Sequence, residues 1–514
     1  MLGEILERNA RRYPDKTGLV FGTSRFTFSE LNERVNRLTN ALSALGVGKG
    51  DRIAIAADTC TQHLELSCAG MKGGTATSLL NPGLSSRELI YLIKNAEPST
   101  VVLGENYKAL IDSLRPELKS VKNFIIIGET QDDMKSYEAL LESASPEAPG
   151  VRVEDDDLLF LLCSGGTTGL PKQIMYNNNG MLFTMLNMVW VYRVVQEDVL
   201  LFASPAFWAQ VLPFLVLPHF YMGCTVVMLK EITPQSILET VQQEKITTTF
   251  LGSPLLPLLI DFPDLQSYDY SSLRRIVVAG TPLPTEVWKR AVKTFGRIFG
   301  QVYGLCEMSP ITCLPPEDFV LEGPPEKVNR LRSCGRESIN AHARVVNEQG
   351  IDVSPGEVGE VIARGRGRMA GYWKAPQATE EAIRGEYLYT GDMATVDEHG
   401  YIYLVGRRKD VITSKGKMLS PSEIEDIIYK HPAVYEVAVI GVPDDQLGEA
   451  VKAVIVLKRG EEVAASEIIQ LCQQHLSPDA VPQYVHFASS LPKSAVGKIL
   501  KHKLREIYAK EVTL

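Results

Sequence analysis

The chain has 514 residues, which is too long for one simple hydrophobic core, so at least two domains are expected. Apolar residues make up 45% of the chain and charged residues 22%, as is ordinary for a globular protein that folds in water. The net charge of −9 argues against a general nucleic-acid binder and against a protein that associates with anionic membranes.

Helix and strand patterns alternate through the first four hundred residues. A helical stripe of leucines and a valine runs from Leu31 to Leu45 and stops at Gly46. Short apolar runs bounded by turn residues predict strands at residues 52–56, 101–103, 124–127 and 275–279. This alternation predicts an α/β fold with mainly parallel, helix-covered sheets.

A loop rich in glycine follows another apolar run, residues 158–162, which predicts a buried strand. The loop holds three glycines and three hydroxyl residues and is closed by a lysine: Ser164, Gly165, Gly166, Thr167, Thr168, Gly169 and Lys172. Glycines let backbone N–H groups turn toward an anion, and lysine adds a positive charge, so the loop is typical of a phosphate site. It lacks the Walker spacing, and a plain surface loop has the same composition.

Two long stretches, residues 173–192 and 199–229, contain no Asp, Glu, Lys or Arg. Pro205, Pro213 and Pro218 interrupt the second stretch, whereas a membrane-spanning helix needs about 20 mostly apolar residues without such breaks. These stretches therefore predict buried core around a ligand tunnel.

The architecture changes toward the C-terminus. We expect an N-terminal core over residues 1–405, whose last part, about 330–405, is a β-rich subdomain containing a hairpin. A polar hinge segment follows at 406–410, and residues 411–514 predict a small α+β domain. The sequence from Ser420 predicts a helix that starts with a capping box.

The segment from Gly365 to Gly371 contains three glycines and hints at a dinucleotide-binding fingerprint. Its spacing is one residue too long, and Gly-Tyr-Trp follows instead of a helix, which excludes that interpretation.

The eight cysteines are scattered and form no CxxC pair, which favours reduced thiols. The first residues lack the apolar core of a signal peptide, so we expect a cytoplasmic enzyme.

Five motifs in this order resemble the adenylate-forming superfamily, which includes acyl-CoA synthetases, aryl-CoA ligases, luciferases and peptide-synthetase adenylation domains. They are the glycine-rich loop, Tyr-Gly-Leu-Cys-Glu at 303–307, Tyr-Thr-Gly-Asp at 389–392, Gly-Arg-Arg-Lys-Asp at 406–410 and Pro-Lys-Ser-Ala-Val-Gly-Lys at 492–498. The resemblance covers nearly the whole chain. It implies a two-step ligase that uses ATP, Mg²⁺ and coenzyme A, with the small domain turning on the hinge between the steps.

The resemblance also implies roles for individual residues. The glycine-rich loop, with Thr168 and Lys172, would grip the ATP phosphates, while Glu307 and Thr168 would hold Mg²⁺. Asp392 would accept both ribose hydroxyls. The remaining nucleotide, hinge and thiol-channel positions are Gly280, Thr281, Pro282, Tyr303, Gly304, Cys306, Arg407, Lys409 and Gly416.

Lys498 is the expected catalytic residue. A carboxylate that attacks ATP approaches an α-phosphate that is already negative, and a fixed cation relieves this repulsion. The nucleophile is ionised at neutral pH, so no general base is needed.

Three positions depart from the family pattern. Gly165 stands where Ser or Thr is usual, Gln173 where Gly is usual, and Cys306 where Thr is usual. Because backbone donors remain at Gly165 and Cys306, we expect weaker nucleotide contacts at these two positions rather than their loss.

The expected acyl pocket includes Phe207, Trp208, Val302 and Gly304. Trp208 replaces a histidine of many relatives, so the role of this position is open, and plain core packing is an equal alternative. At Gly304, acetate-activating relatives have a tryptophan that blocks the pocket. Glycine predicts an open pocket and therefore a mid-sized apolar acid, which is fatty, alicyclic or aromatic.

Alternatives remain at this point. Coenzyme A is the expected acceptor, with a separate acyl carrier protein as the alternative. A luciferase and a catalytically weakened nucleotide-binding relative share the motifs. A homodimer is one open assembly state.

Overall fold

A computed structural model describes residues 2–129, 134–163, 171–208, 212–415, 417–444, 446–493 and 499–508. The α-helices are α1 (Ile5–Arg12), α2 (Phe28–Ala44), α3 (Gln62–Gly73), α4 (Ser86–Ala96), α5 (Lys108–Leu114), α6 (Tyr137–Ser143), α7 (Asn178–Tyr192), α8 (Leu217–Met222), α9 (Pro234–Glu244), α10 (Leu255–Ile260), α11 (Thr285–Phe295), α12 (Pro325–Asn329), α13 (Pro376–Ala382), α14 (Pro421–Ile428), α15 (Ala465–His475) and α16 (Lys501–Tyr508).

The strands are β1 (Thr17–Phe21), β2 (Ser24–Thr27), β3 (Arg52–Ala56), β4 (Ala76–Leu79), β5 (Thr100–Gly104), β6 (Asn123–Ile127), β7 (Lys135–Ser136), β8 (Leu158–Cys163), β9 (Gln173–Asn177), β10 (Val199–Phe202), β11 (Thr225–Met228), β12 (Thr248–Gly252), β13 (Arg275–Ala279), β14 (Phe299–Leu305), β15 (Met308–Leu314), β16 (Arg336–Glu337), β17 (His342–Val346), β18 (Gly359–Arg364), β19 (Gly371–Tyr372), β20 (Ile383–Arg384), β21 (Tyr387–Val396), β22 (Ile402–Arg407), β23 (Ile412–Ser414), β24 (Lys417–Leu419), β25 (Val434–Asp444), β26 (Gly448–Leu457) and β27 (Tyr484–Phe487).

Within the described residues the strands form four sheets. The first sheet has nine strands in the order β16-β15-β14-β13-β12-β10-β11-β1-β2, and the second has eight in the order β19-β9-β8-β4-β3-β5-β6-β7. The third sheet joins β17, β18, β21, β20 and β22, and the fourth joins β24, β23, β26, β25 and β27. The central strands of the first two sheets are parallel, as the alternating pattern predicts.

Helix α2 shows how local sequence sets these elements. The Thr27 side chain accepts a hydrogen bond from the Glu30 backbone, and the Glu30 carboxylate accepts one from the Thr27 backbone. The predicted stripe, including Leu31, Val35 and Leu38, is buried, and Gly46 follows the helix with a φ of 77°. The helix therefore begins and ends where its caps require.

The largest core contains apolar side chains from both large sheets, so the two sheets share one buried interior. The two stretches without charged residues contribute α7, a π-helical turn at Leu212–Val216, and α8, whose side chains are mostly buried there. None of the helices in the described part of the chain has the length and apolarity that a membrane span requires. Among the same residues, the eight cysteines form no disulfide.

The fourth sheet is built on the long antiparallel pair β25–β26, and α14 packs between this sheet and the third one. Ser422 at the start of α14 donates a hydrogen bond to the Leu404 carbonyl at 3.1 Å. Ser420 caps the helix as predicted, since its side chain accepts from the Glu423 backbone. The helix has this one bond of the expected capping box, and the Glu423 carboxylate lies 3.7 Å from Arg332.

Arg332 also contacts Asp426 on α14, at 3.4 Å. Burial raises the pKa of Asp426 to about 6, although the nearby Arg332 acts in the opposite direction. The folded protein therefore holds the Asp426 proton more tightly than the unfolded chain does.

This shift predicts how stability changes with pH. Because the folded-state pKa of Asp426 exceeds its unfolded value, stability is lost as pH rises through about 4 to 6, and the penalty is complete above that range. We expect Asp426→Asn to stabilise the protein by about 1–2 kcal/mol at pH 7.5 and to have little effect at pH 4. Thermal unfolding at both pH values measures this, with Glu423→Gln as the control on the same arginine. Equal gains at the two pH values would contradict the prediction.

Candidate active site

Several of the predicted site residues lie outside the described part of the chain. They are Ser164, Gly165, Gly166, Thr167, Thr168, Gly169, Gly416 and Lys498. The other predicted residues lie on strands of the first and third sheets or in segments outside the strands, and two clusters of contacts connect most of the polar ones.

The first cluster surrounds the carboxylate of Asp392, which is buried at 7% relative exposure. The Tyr303 hydroxyl donates to its Oδ2 at 2.7 Å. Nε of Arg407 lies 2.7 Å from Oδ1. A buried carboxylate needs such partners, because an unpaired charge in the interior is strongly unfavourable.

Strand pairing sets up this cluster. Asp392 on β21 is the register partner of Arg407 on β22, so the two side chains leave the hairpin side by side. The backbone N–H of Asp392 donates to the Thr390 hydroxyl, and that hydroxyl donates to the Val361 carbonyl of β18. Gly391 between them has a φ of 71°, a conformation that favours glycine.

The Tyr303 phenol stays protonated at neutral pH. Burial and the negative charge of Asp392 hold its pKa well above the usual range. The phenol is therefore a fixed donor to the Asp392 carboxylate.

The second cluster joins Glu307, Tyr372 and Lys172. The Tyr372 hydroxyl donates to Oε1 of Glu307 at 2.7 Å. Nζ of Lys172 lies 4.7 Å from the centre of the Tyr372 ring. Within the described residues, Oε2 of Glu307 has no hydrogen-bond or ion-pair partner, so a hard carboxylate oxygen of the kind that Mg²⁺ prefers is available there.

The two clusters are neighbours. Tyr303 lies near the end of β14 and Glu307 in the turn that leads to β15, and the charge of Arg407 acts on the pKa of Tyr372. Together they bring residues from the first, second and third sheets to one place.

The turn Gly280-Thr281-Pro282 follows β13 and lies at the surface. Gly280 has a φ of 124°, which disfavours other residues, and the Ser253 hydroxyl donates to the Thr281 carbonyl at 2.6 Å. These contacts fix the turn at the end of a parallel strand, where ligands of such sheets usually bind.

Gly304 differs from its expected environment. A Cβ added there would lie 2.8 Å from the Met308 carbonyl oxygen and 2.9 Å from Cα of Ser309. The space that a side chain would take is filled by the β15 backbone, so the expected opening at this position is not an empty cavity. Glycine is required here by close backbone packing.

The other expected pocket residues have different degrees of burial. Val302 on β14 is buried at 6% exposure. Phe207 and Trp208 are half-buried, and Trp208 packs against the largest core. The Trp208 N–H donates to the Pro205 carbonyl, which places this segment in a turn.

Two departures from the family pattern have structural partners. Gln173 is 1% exposed, accepts from the Asn95 side chain at 2.8 Å and donates to the Ser78 hydroxyl at 3.4 Å. At Cys306 the backbone carbonyl accepts a hydrogen bond from the Tyr176 hydroxyl at 3.1 Å. The larger Gln173 side chain is therefore part of a satisfied buried network.

Lys409 is exposed in the segment that connects the third and fourth sheets. The residues on either side of Lys409 are anchored by hydrogen bonds. Arg408 donates to the Glu360 carboxylate at 2.6 Å, and Arg505 donates to the Asp410 carboxylate at 2.8 Å.

Sequence reasoning missed Tyr372 and Glu360. Tyr372 directly follows the glycine-containing segment 365–371, which the sequence analysis tested only as a dinucleotide-binding fingerprint. The segment was therefore noticed, but Tyr372 was not considered as a site residue. Glu360, which accepts from the Gly391 N–H at 2.9 Å, had no motif to reveal it.

Comparison with known proteins agrees with this geometry. The model of the AMP-binding enzyme family matches residues 6–373, and the model of the AMP-binding enzyme C-terminal domain matches residues 423–498. The chain is 32% identical over 505 residues to feruloyl-CoA synthase from Amycolatopsis sp, covering 98% of each chain.

Two further relatives extend the comparison. The chain is 30% identical to a long-chain-fatty-acid–CoA ligase from Bacillus subtilis (strain 168), covering 98% of this chain and 94% of the relative. The anthranilate CoA ligase AuaEII, solved in complex with anthranoyl-AMP, superposes with a TM-score of 0.91 at 25% identity, covering 100% of this chain and 98% of that one. The chain therefore belongs to the AMP-binding enzyme family, within the adenylate-forming superfamily.

Proposed function

We propose that this protein is an AMP-forming carboxylic acid–CoA ligase. It activates a mid-sized apolar acid with ATP and then transfers the acyl group to coenzyme A. The observation that carries the proposal is the buried Asp392 carboxylate, held by Tyr303 and Arg407 beside Glu307 and Lys172. This arrangement offers one acceptor for a diol together with a cation and a carboxylate for a polyphosphate.

In the first step, a carboxylate oxygen of the acid forms a bond to the α-phosphorus of ATP, and pyrophosphate leaves. Asp392 accepts the ribose hydroxyls, which fixes the nucleotide against the turn at Gly280. Lys172, Arg407 and Lys498 supply positive charge where two anions meet, and removing such a contact commonly lowers the rate by 10²–10³ or about 3–4 kcal/mol. Glu307, with Thr168, holds Mg²⁺, which neutralises charge on the phosphates when it is bound.

In the second step, the thiol sulfur attacks the acyl carbonyl, AMP leaves, and the thiol proton is released. The domain limits proposed for this cycle are 1–405, 406–410 and 411–514, with Lys409 in the hinge. Gly416 would line the thiol channel. The hydrogen bonds from Arg408 to Glu360 and from Arg505 to Asp410 support a short connecting segment around Lys409 with defined ends.

The acid is apolar and mid-sized. The relatives named above include ligases of aromatic acids and of long-chain fatty acids, and the pocket segment contributes Phe207, Trp208 and Val302. Close packing at Gly304 makes the depth of the pocket depend on neighbouring residues. Coenzyme A as acceptor is supported by the same relatives, whereas an acyl carrier protein and a homodimer stay predictions.

The role of Asp392 can be tested by Asp392→Asn. Losing a charged hydrogen-bond acceptor should raise the dissociation constant of ATP by about 10- to 100-fold. Calorimetric titration with ATP in the absence of acid measures this. Tyr303→Phe is the matched control, because it removes only the donor to the same carboxylate and should weaken binding less. An unchanged affinity of the Asn variant would contradict the ribose assignment.

The role of Lys498 can be tested by Lys498→Ala. The variant should lose acid-dependent pyrophosphate release by at least about 100-fold, yet still convert supplied acyl-AMP and coenzyme A to thioester. Lys503→Ala, a nearby lysine of α16 without an assigned role, is the control and should behave as wild type. Normal adenylate formation by Lys498→Ala would show that the assignment is wrong.

A panel of acids tests the substrate class. Pyrophosphate release should be faster with aromatic, alicyclic or medium-chain fatty acids than with acetate or amino acids. Product analysis should give thioester with coenzyme A. Absence of release with every acid would favour the weakened nucleotide-binding relative, and light emission with a luciferin and O₂ would favour a luciferase.

A further inference from the structure

Tyr372 connects two groups that the proposed function uses separately. Its hydroxyl donates to Glu307 at 2.7 Å, and its ring faces the Lys172 ammonium at 4.7 Å. The ring–cation contact attracts the ammonium toward the same tyrosine that holds the Glu307 carboxylate.

The backbone around Tyr372 makes the same connection. Strand β19 pairs with β9 directly after the glycine-rich loop, with Tyr372 opposite Ile174. The Trp373 N–H donates to the Gln173 carbonyl at 2.8 Å, and the Met369 N–H donates to the Glu307 carbonyl at 2.7 Å. Residues 369–373 thus tie the base of the loop to the strand turn that carries Glu307.

The position of Tyr372 is itself tightly defined. Its N–H donates to the Thr379 hydroxyl at 2.9 Å. Gly371 has a φ of 150°, and a Cβ there would lie 2.9 Å from the Thr379 methyl carbon.

We propose that Tyr372 is a positioning residue that holds Lys172 and the Glu307 carboxylate in one fixed relation, so that both act on the same polyphosphate. The hydroxyl occupies Oε1 and orients Oε2 toward the phosphates and their metal ion, while the ring holds the lysine at the other side. This inference rests on the proposed roles of Lys172 and Glu307.

Tyr372→Phe tests the hydroxyl alone, since the ring and its contact with Lys172 remain. The Mg²⁺ concentration for half-maximal pyrophosphate release should rise by about five- to tenfold. The dissociation constant of ATP should rise in the presence of Mg²⁺ and stay unchanged in its absence, a readout that needs no turnover. Tyr372→Leu removes the ring as well and should weaken ATP binding under both conditions.

The matched control is Tyr403→Phe. The Tyr403 hydroxyl also donates to a carboxylate, that of Asp397 at 3.0 Å, in the same part of the fold but outside both clusters. This variant should keep the wild-type Mg²⁺ dependence. Loss of thermal stability in Tyr372→Phe with wild-type Mg²⁺ dependence would reduce Tyr372 to a packing role and overturn the inference.

Glu307→Gln separates this inference from the function on which it rests. If Glu307→Gln shifts the Mg²⁺ dependence and the double variant with Tyr372→Phe adds nothing, the two residues act as one unit, as proposed. If Glu307→Gln shifts it and Tyr372→Phe does not, only the Tyr372 inference fails. If Glu307→Gln has no effect, the metal role of Glu307 fails with it.

Discussion

The site depends on one buried carboxylate, which needs both an ion-pair partner and a hydrogen-bond donor. Asp392 is almost fully enclosed, so the fold is favourable only if Arg407 and Tyr303 both reach it. Arg407 lies beside Asp392 because the two are paired across the β21–β22 hairpin, whereas Tyr303 belongs to the first sheet. The third sheet is therefore held against the first by the Tyr303–Asp392 hydrogen bond as well as by apolar contact.

Much of the local structure could be predicted from the sequence because its causes are local. The stripe and cap of α2, the apolar run of β13 and the hairpin of β21 and β22 each follow from neighbouring residues. The Tyr372 contacts could not be predicted in this way. These contacts depend on β19 pairing with the second sheet, whereas the next long strand, β21, belongs to the third sheet. No local sequence pattern predicts with which sheet β19 pairs.

The substitutions relative to the family pattern show the same limit. The family pattern has a glycine where this chain has Gln173, so the sequence alone marks this residue only as a departure. In the structure its side-chain oxygen accepts from Asn95 and its side-chain nitrogen donates to Ser78 in the interior. Gly304 was expected to leave space, yet the β15 backbone occupies it. For both Gln173 and Gly304 the sequence gives the residue type but not the residues that surround it in the fold. Those surrounding residues determine what each side chain position can do.

The end of β22 carries one more consequence. Arg407 holds the Asp392 carboxylate, and the following four residues lead directly into the fourth sheet. The ion pair with Asp392 and the start of the connecting segment are therefore separated by a single peptide bond. A rearrangement of the backbone after Arg407 could not leave the guanidinium unaffected, because the residue that holds the carboxylate is also the one at which the segment begins.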